Sequence, residues 1–147
     1  GWQLVRGTSS TSSGKKYFEI RQDTADPGPG YEIAGVAKSG ASVGSYLGNG
    51  AYGWGYQHGL RRTVHNGGFS TYGTAPVSAQ GTVIGVLLDL DAGTLSFSVN
   101  GALQGIAFSG LSGTFHPAVS HYALMTSTAR FASSQWSYAP PAGYTQW

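Results

Sequence analysis

Apolar and polar residues alternate in short blocks along this chain, and the stretch from Val83 to Gly101 shows the pattern most clearly. An apolar run leads into an Asp-Ala-Gly sequence, after which Leu95, Phe97 and Val99 alternate with polar residues up to an Asn-Gly pair. A period of two is typical of a strand with one buried face, and Asn-Gly pairs adopt the positive φ angles of tight hairpins. The stretch therefore predicts two antiparallel strands of a β-meander.

Further strands are predicted on both sides of the meander. They cover Lys16–Gln22, Tyr31–Lys38, Trp54–Tyr56, Arg61–His65, Leu103–Phe108, Phe115–His121 and Thr128–Phe131. Long glycine-rich loops are expected at Ser39–Gly53 and Gly67–Gln80, and such loops often carry binding residues. Gly35 lies in the middle of its strand and indicates the close approach of another backbone. No stretch has a helical period longer than one turn, so the predicted fold is an all-β sandwich or barrel.

Composition narrows the possible functions. With 147 residues, the chain is long enough to bury one core as a single domain over residues 1–147. Only 10% of residues are charged, 24 are glycine and none is cysteine, which suits short strands and excludes disulfides. The net charge of +2 is too scattered for nucleic-acid binding, and no apolar run approaches the ~20 residues of a membrane span. The Gly-Trp start, without Met, favours a module of a longer protein.

Several motifs resemble those of the SPRY domain family, in that family's order. They are SGKKYFEI, YEIAGVAKSG, GWGYQHGLRRTVHNG, the meander followed by GIAFSGLSG, and FHPAVSHY. The C-terminal PPAGYTQW resembles an ending found in SPRY modules of bacterial and phage proteins, and the acidic motif of the longer PRY-plus-SPRY version is missing. The resemblance implies a two-layer antiparallel β-sandwich, a concanavalin-like jelly roll. It also implies a non-enzymatic module that recognises a protein or peptide through loops at one edge.

The resemblance also implies where a partner binds. The expected partner-binding residues are Arg6 and Thr8 before the first strong strand, Tyr46, Leu47 and Asn49 in the long loop, and His121, Tyr122 and Leu124 after the PAVS motif. Ala123 stands where the family usually has a partner-contacting aromatic residue, which implies a different ligand. Arg61, next to Arg62, is expected either to orient an anionic partner or only to keep the protein soluble.

Some of these residues also have structural interpretations. His121 is equally open to a structural role. Tyr46 and Tyr122 are expected to take part in recognition, whereas Tyr52 is expected to pin its loop to the sandwich. Trp54 is expected in the core because its motif position lies inside a strand.

Sequence patterns that suggest catalysis or metal binding are weaker. Gly48–Gly53 matches a dinucleotide-binding fingerprint, and Ser42 lies in a G-x-S-x-G pattern, but both need a following helix that the sequence does not predict. Asp91 is expected to cap its turn, and Asp89 ends a buried strand. The histidines lack the spacing of metal ligands, and two of them, His65 and His116, are expected to be hydrogen-bonded at strand ends. We therefore predict no catalytic residue, metal or cofactor.

The predicted function is non-catalytic binding of a protein or peptide. The alternative is a carbohydrate-binding or receptor-binding module on a phage or virus particle. Low charge and loop aromatics, which can stack on sugar rings, support this alternative. A virion or extracellular location is favoured by the phage-like ending, with the cytoplasm as the other possibility.

Overall fold

The computed structural model describes residues 1–74 and 76–147. Within these residues the chain forms strands and two single 3₁₀ turns, His58–Leu60 and Ser133–Gln135. The strands are β1 (Trp2–Arg6), β2 (Lys15–Gln22), β3 (Glu32–Ala37), β4 (Gly53–Gln57), β5 (Arg62–His65), β6 (Gly68–Thr71), β7 (Val83–Asp89), β8 (Thr94–Val99), β9 (Ala102–Phe108), β10 (His116–Tyr122) and β11 (Ser127–Arg130).

The strands form two antiparallel sheets that pack face to face. The six-stranded sheet has the order β1-β10-β3-β4-β5-β6, and the five-stranded sheet has the order β11-β2-β7-β8-β9. Neighbouring strands pair antiparallel in both sheets. The predicted all-β, two-layer sandwich is therefore confirmed.

Two Asn-Gly pairs make the tight hairpins. Asn100 and Gly101 have φ angles of 48° and 84° between β8 and β9, and Asn66 and Gly67 have 49° and 73° between β5 and β6. Two successive positive φ angles are typical of the type I′ turn, whose twist matches that of antiparallel strands.

The turn between β7 and β8 differs from the prediction in one residue. Asp89, rather than Asp91, caps it, since its Oδ1 accepts a hydrogen bond of 2.9 Å from the backbone N–H of Ala92. Asp89 is the last residue of β7, so its carboxylate already faces the turn, whereas Asp91 is exposed.

Two strands were not predicted, and both form edges of the six-stranded sheet. All four residues of β6 are exposed, so its sequence has no alternation of buried and polar positions. It forms because the turn at Asn66 and Gly67 returns the chain against β5. The other strand, β1, pairs with β10 more than a hundred residues away, with Trp2 opposite Tyr122.

The main core lies between the sheets and contains the inward-facing residues of both. It consists of Phe18, Ile20, Ala34, Val36, Tyr56, Ile84, Val86, Leu88, Leu95, Phe97, Val99, Leu111 and Phe115. The three alternating residues that predicted β8 are all buried here. Trp54 packs at the border of this core and is only partly buried.

A second, smaller core lies on the other side of the six-stranded sheet. This outer core consists of Leu4, Ile33, Ala37, Leu47, Val64 and Ala118. The long loop between β3 and β4 covers it and is attached by backbone hydrogen bonds, from the N–H of Leu4 to the carbonyl of Val43 at 2.9 Å and from the N–H of Gly67 to the carbonyl of Gly48 at 2.9 Å. The loop is therefore part of the packed structure.

Gly35 occupies a position where the backbones of β3 and β4 come close together. A Cβ atom at this position would collide with the carbonyl oxygen of Trp54 and lie 3.0 Å from the Cα of Gly55. The sequence-based expectation of a close backbone approach is confirmed.

We expect Gly35→Ala to lower the free energy of unfolding by about 1–3 kcal/mol, because the added methyl group must displace a neighbouring strand. Gly44→Ala is the matched control, since Gly44 has a negative φ and nothing lies within 4 Å of a Cβ built on it. Its free energy of unfolding should change by no more than about 0.5 kcal/mol. Urea unfolding followed by tryptophan fluorescence measures both, and equal stability of the two variants would contradict the close approach.

Candidate interaction surface

Five aromatic side chains contact one another on the outer side of the six-stranded sheet, near the start of β1 and the end of β10. Ring centroids are separated by 5.8 Å between Trp2 and Tyr46, and by 5.6 Å between Trp2 and Tyr122. Tyr31 lies 4.9 Å from Tyr122, and Phe69 lies 6.2 Å from Tyr46. These five residues are called the aromatic surface below. Phe69 is 44% exposed and Tyr122 is 37% exposed, so the surface is open to a partner.

The aromatic surface is assembled from distant parts of the chain. Trp2 faces Tyr122 because β1 and β10 pair in that register. Phe69 is brought in by β6, where it lies opposite Val64. Tyr46 is carried by the long loop, whose next residue, Leu47, is fully buried in the outer core. A local sequence pattern therefore does not reveal this surface as a unit.

Arg62 is the basic residue at the side of the aromatic surface. Its guanidinium carbon lies 3.9 Å from the ring centroid of Phe69, a cation–π geometry. Its Nε donates a hydrogen bond of 2.7 Å to Oε1 of Gln57. Beside it, a cavity of about 170 Å³ is lined by Trp2, Ile33, Tyr46, Gln57, Arg62 and Phe69.

A buried polar cluster lies beneath the end of the sheet that carries Tyr31 and Tyr122. The carboxylate of Glu32 is fully buried, with Oε1 at 3.0 Å from Nε2 of His58 and Oε2 at 2.9 Å from Nε2 of His121. Burial by itself would raise the pKa of Glu32, but the hydrogen bonds from His121 and His58 outweigh it and lower the pKa to about 2. Burial likewise disfavours charge on His58, yet the bond to Glu32 raises its pKa above the ordinary value.

This cluster does not have the geometry of a catalytic triad. Nε2 of His121 contacts both Glu32 and, at 2.9 Å, Oγ of Ser127. A serine–histidine–acid relay needs the two ring nitrogens to serve different partners, so that one holds the acid while the other takes the serine proton. Ser42, the serine of the G-x-S-x-G pattern, has no hydrogen bond to a histidine in the described chain. Over residues 1–74 and 76–147, no group of three or more potential ligands could hold a metal ion.

The remaining histidines have structural partners. His65 Nδ1 lies 2.8 Å from the carbonyl oxygen of Gly53, and its ring stacks on Trp54 with centroids 4.5 Å apart. His116 Nδ1 lies 2.8 Å from the carbonyl oxygen of Gly7. The prediction of hydrogen-bonded strand-end histidines is confirmed for both.

The structure brings together some of the residues predicted to bind a partner. Tyr46 and Tyr122 both contact Trp2, and Leu124, two residues beyond Tyr122, is 92% exposed. His121 is adjacent in sequence, but its Nε2 is committed to Glu32 and its side chain is largely buried.

The other predicted residues lie elsewhere or are inaccessible. Leu47 is a correction, because its side chain is fully buried in the outer core and cannot touch a partner. Arg6 is the last residue of β1, about 13 Å from Trp2 at strand spacing, and Thr8 lies two residues beyond the strand. Arg6 Nη1 donates to the carbonyl oxygens of Lys38 and Ser39, which ties it to the long loop.

Three further exposed residues make no ring contact with the aromatic surface. Asn49 is exposed in the long loop, where its N–H donates to the carbonyl of Tyr46 at 3.1 Å. Arg61 is exposed, and its Nε donates to the carbonyl of Gly73 at 2.6 Å. Tyr52, expected to pack its loop, is 53% exposed.

Sequence reasoning missed Trp2, Tyr31 and Phe69 as site residues. Trp2 alternates with Leu4 at the start of the chain, a signal for a strand with one buried face that was available in the sequence. Phe69 follows the Asn66-Gly67 turn after one further residue, Gly68, and carries no pattern of its own. Its role depends on the contact with Tyr46, which only the folded chain makes.

Comparison with known proteins identifies the family. Residues 15–134 match the SPRY domain. The chain belongs to the SPRY domain family. SPRY domains are protein-interaction modules, typically non-catalytic, that bind protein partners. The resemblance predicted from the motifs is therefore confirmed.

Similar proteins include two eukaryotic relatives. The chain is 34% identical over 133 residues to the E3 ubiquitin-protein ligase TRIM9 of Drosophila melanogaster, covering 82% of this chain and 17% of that protein. It is also 34% identical over 129 residues to the human SPRY domain-containing SOCS box protein 1, covering 79% of this chain and 47% of that protein. The chain thus spans less than half the length of either relative. Neither relative supports a phage or lectin assignment.

Structural comparison agrees with the fold. The SPRY domain of human HERC1 superimposes with a TM-score of 0.72 at 22% sequence identity, covering 88% of this chain and 81% of that domain. Among the described residues, no helix has the length and apolar character needed to cross a bilayer.

We expect Glu32→Gln to lower the free energy of unfolding at neutral pH by about 3–5 kcal/mol, because His58 then stays buried without its counter-charge. In the unchanged protein the raised pKa of His58 contributes stability that is fully present below pH 6.5 and is lost as the pH rises through the folded-state pKa. Glu32 contributes stability that is lost as the pH falls from 4.5 towards about 2. In the variant the Glu32 dependence should disappear and the His58 dependence should reverse, because burial then lowers the pKa of His58 and stability is lost as the pH falls.

Urea unfolding at a series of pH values measures this effect. Asp91→Asn, which removes an exposed carboxylate from a turn, is the control and should follow the unchanged protein. If Glu32→Gln and the unchanged protein have the same pH profile, the buried charge pair is not formed.

Proposed function

We propose that this SPRY domain binds a protein or peptide through the aromatic surface, as the recognition module of a larger protein, and that it catalyses no reaction on its partner. The observation that carries the proposal is the contact of five aromatic rings, contributed by five separate chain segments, on one accessible side of the six-stranded sheet.

The chemistry of these side chains suits recognition. Tyrosine and tryptophan offer a large apolar contact area together with a hydrogen-bonding group, and they lose little conformational entropy on binding. Residues of this kind dominate the binding energy of protein interfaces when they are clustered. Leu124, two residues beyond Tyr122, is almost fully exposed and offers a further apolar side chain after the end of β10.

The surface is also held rigid before a partner arrives. The loop that carries Tyr46 is fixed by Leu47 in the outer core, and β10 is held at its end by the contact of His121 with Glu32. Because the loop and side chains of the surface are already ordered, little conformational freedom is lost on binding, and this favours affinity. Partner recognition also agrees with the names of the relatives, a ubiquitin ligase and a SOCS box protein, in which the SPRY domain is one part of a longer chain.

The absence of a reaction is supported by the geometry of the polar groups. The Glu32 cluster uses both of its carboxylate oxygens and Nε2 of both histidines in internal contacts. The aromatic surface itself contains no nucleophile paired with a base. The carbohydrate-binding alternative stays a prediction that the same surface residues can test, since aromatic rings also stack on sugars.

We expect Tyr122→Ala to weaken binding by roughly tenfold or more, because it removes a central side chain of the aromatic surface. Linear peptides selected by display against the whole chain, and then labelled with fluorescein, serve as probes in fluorescence anisotropy. Tyr46→Ala and Phe69→Ala should each weaken binding of the same peptides.

Tyr138→Ala is the matched control. Tyr138 is also a tyrosine with 37% exposure, but it lies against Gly101 of the β8–β9 turn, at the five-stranded sheet. Binding should be unchanged in this variant, and the melting temperature of each variant shows whether it folds. Equal affinity of the Tyr122 and Tyr138 variants for the peptides would refute the proposal. Selective binding of oligosaccharides on a glycan array, lost in Tyr122→Ala, would favour the alternative function.

A further inference from the structure

We infer that the aromatic surface selects a partner segment with an internal aspartate or glutamate, whose carboxylate pairs with the guanidinium of Arg62. The inference rests on the proposed function and adds the chemistry that the surface recognises. It is carried by the orientation of Arg62, by its lack of an acidic partner among residues 1–74 and 76–147, and by the cavity beside it.

Arg62 is held in one orientation by two contacts. Its Nε donates to Oε1 of Gln57 at 2.7 Å, and the guanidinium lies flat enough over Phe69 to bring Cζ within 3.9 Å of the ring centroid. Gln57 is itself almost completely buried, and its Nε2 donates to the carbonyl of Gly30 at 2.7 Å. The series of contacts from Gly30 to Phe69 therefore positions the arginine before any partner binds.

The terminal nitrogens of this guanidinium remain available. Neither Nη1 nor Nη2 of Arg62 has a hydrogen bond or an ion pair with any group in the described part of the chain. Because Nε is already bound to Gln57, the end of the guanidinium group that is free to bind carries Nη1 and Nη2 side by side. That arrangement matches the two oxygens of a carboxylate, the geometry in which arginine forms its strongest pairs.

Carboxylates at this end of the sheet do not compete for Arg62. Glu32 is bound on both oxygens by His58 and His121. Asp26 accepts hydrogen bonds from the N–H groups of Gly30 and Tyr31 and from Oγ of Ser78. A carboxylate of a partner would therefore meet no competition from these two acidic residues at Arg62.

The cavity gives the carboxylate a place of suitable size and polarity. Its volume of about 170 Å³ accommodates a single side chain, and Trp2, Tyr46 and Phe69 provide apolar walls. Apolar walls lower the local dielectric constant, which strengthens the attraction between opposite charges. The charge of the site favours a carboxylate over a phosphate, because one guanidinium balances one carboxylate whereas a phosphate carries nearly two negative charges. The neighbouring Arg61 does not supply the second positive charge here, since its Nε is bound to the carbonyl of Gly73.

The extent of the aromatic surface indicates that the carboxylate paired with Arg62 belongs to an internal side chain of the partner and not to its C-terminus. The aromatic surface continues from the cavity past Trp2 to Tyr122 and Tyr31, so a segment that covers it extends beyond the acidic residue. The expected ligand is therefore a segment in which an internal acidic residue is accompanied by apolar residues that contact Tyr122.

Peptides selected by display against the whole chain test this inference. Selected sequences should be enriched in one acidic position, and replacing that residue by its amide should weaken binding by roughly tenfold or more. Arg62→Gln should weaken binding of the acidic peptide to a similar extent and should hardly affect its amide version. Arg62→Lys should recover only part of the affinity, because lysine lacks the forked geometry.

Arg21→Gln is the control, since Arg21 lies on β2 of the other sheet and pairs with Asp23 at 2.6 Å. It makes the same change of charge and should bind the acidic peptide normally. Selected peptides without an acidic position, or Arg62→Gln with unchanged affinity, would overturn the inference. Binding that is lost on C-terminal amidation, or that requires a phosphorylated residue, would overturn it as well. If Tyr122→Ala abolishes binding while Arg62→Gln does not, the proposal of binding through the aromatic surface is kept, and only the proposed preference for an acidic residue is rejected.

Discussion

The burial of Leu47 on the outer side of the six-stranded sheet is the contact on which the aromatic surface depends. The Leu47 side chain packs over two glycines of β4, Gly53 and Gly55. A Cβ atom built on Gly53 would lie 2.9 Å from Cδ1 of Leu47, and a Cβ atom built on Gly55 would lie 3.3 Å from Cγ of Leu47. Its N–H donates to Oγ of Ser120 at 2.9 Å. The loop is thereby held against the sheet, and Tyr46 is delivered to Trp2. Without this contact the same aromatic residues would be scattered over separate segments.

A second constraint acts at the end of the sheet through Glu32. A buried carboxylate is costly unless it is paired, and here two histidines from different parts of the chain satisfy it. The pairing requires His58 in its 3₁₀ turn and His121 near the end of β10 to converge on one point. Since Tyr31 and Tyr122 are the immediate neighbours of Glu32 and His121, the buried polar cluster also fixes two members of the aromatic surface. The hydrogen bonds that pair the buried carboxylate of Glu32 therefore also help to hold the rings of Tyr31 and Tyr122 in contact.

The fold could be predicted from the sequence wherever the chain carries a local pattern. Alternation identified β8 through Leu95, Phe97 and Val99, and the Asn-Gly turn after it, because side-chain burial and turn conformation are properties of consecutive residues. The edge strands β1 and β6 were not predicted, since β6 has no buried face and β1 depends on a partner far along the chain. At the site, Tyr46 and Tyr122 were predicted from family motifs. Leu47 was assigned to the surface because a motif position does not reveal which side chain is buried.

The sequence by itself determined the class of the fold, the main turns, membership of the SPRY domain family and the expectation of a binding role. These follow from local periodicity, turn-forming residues and motifs that lie close together in the chain. Only the tertiary structure decided which side chains share a surface. Phe69 and Arg62 carry no distinctive pattern, and Trp2 shows only its alternation with Leu4. The three meet because two sheet edges and a long loop converge on one side of the sandwich. Contacts between residues far apart in the chain are set by strand register and loop packing, which no short stretch of sequence contains.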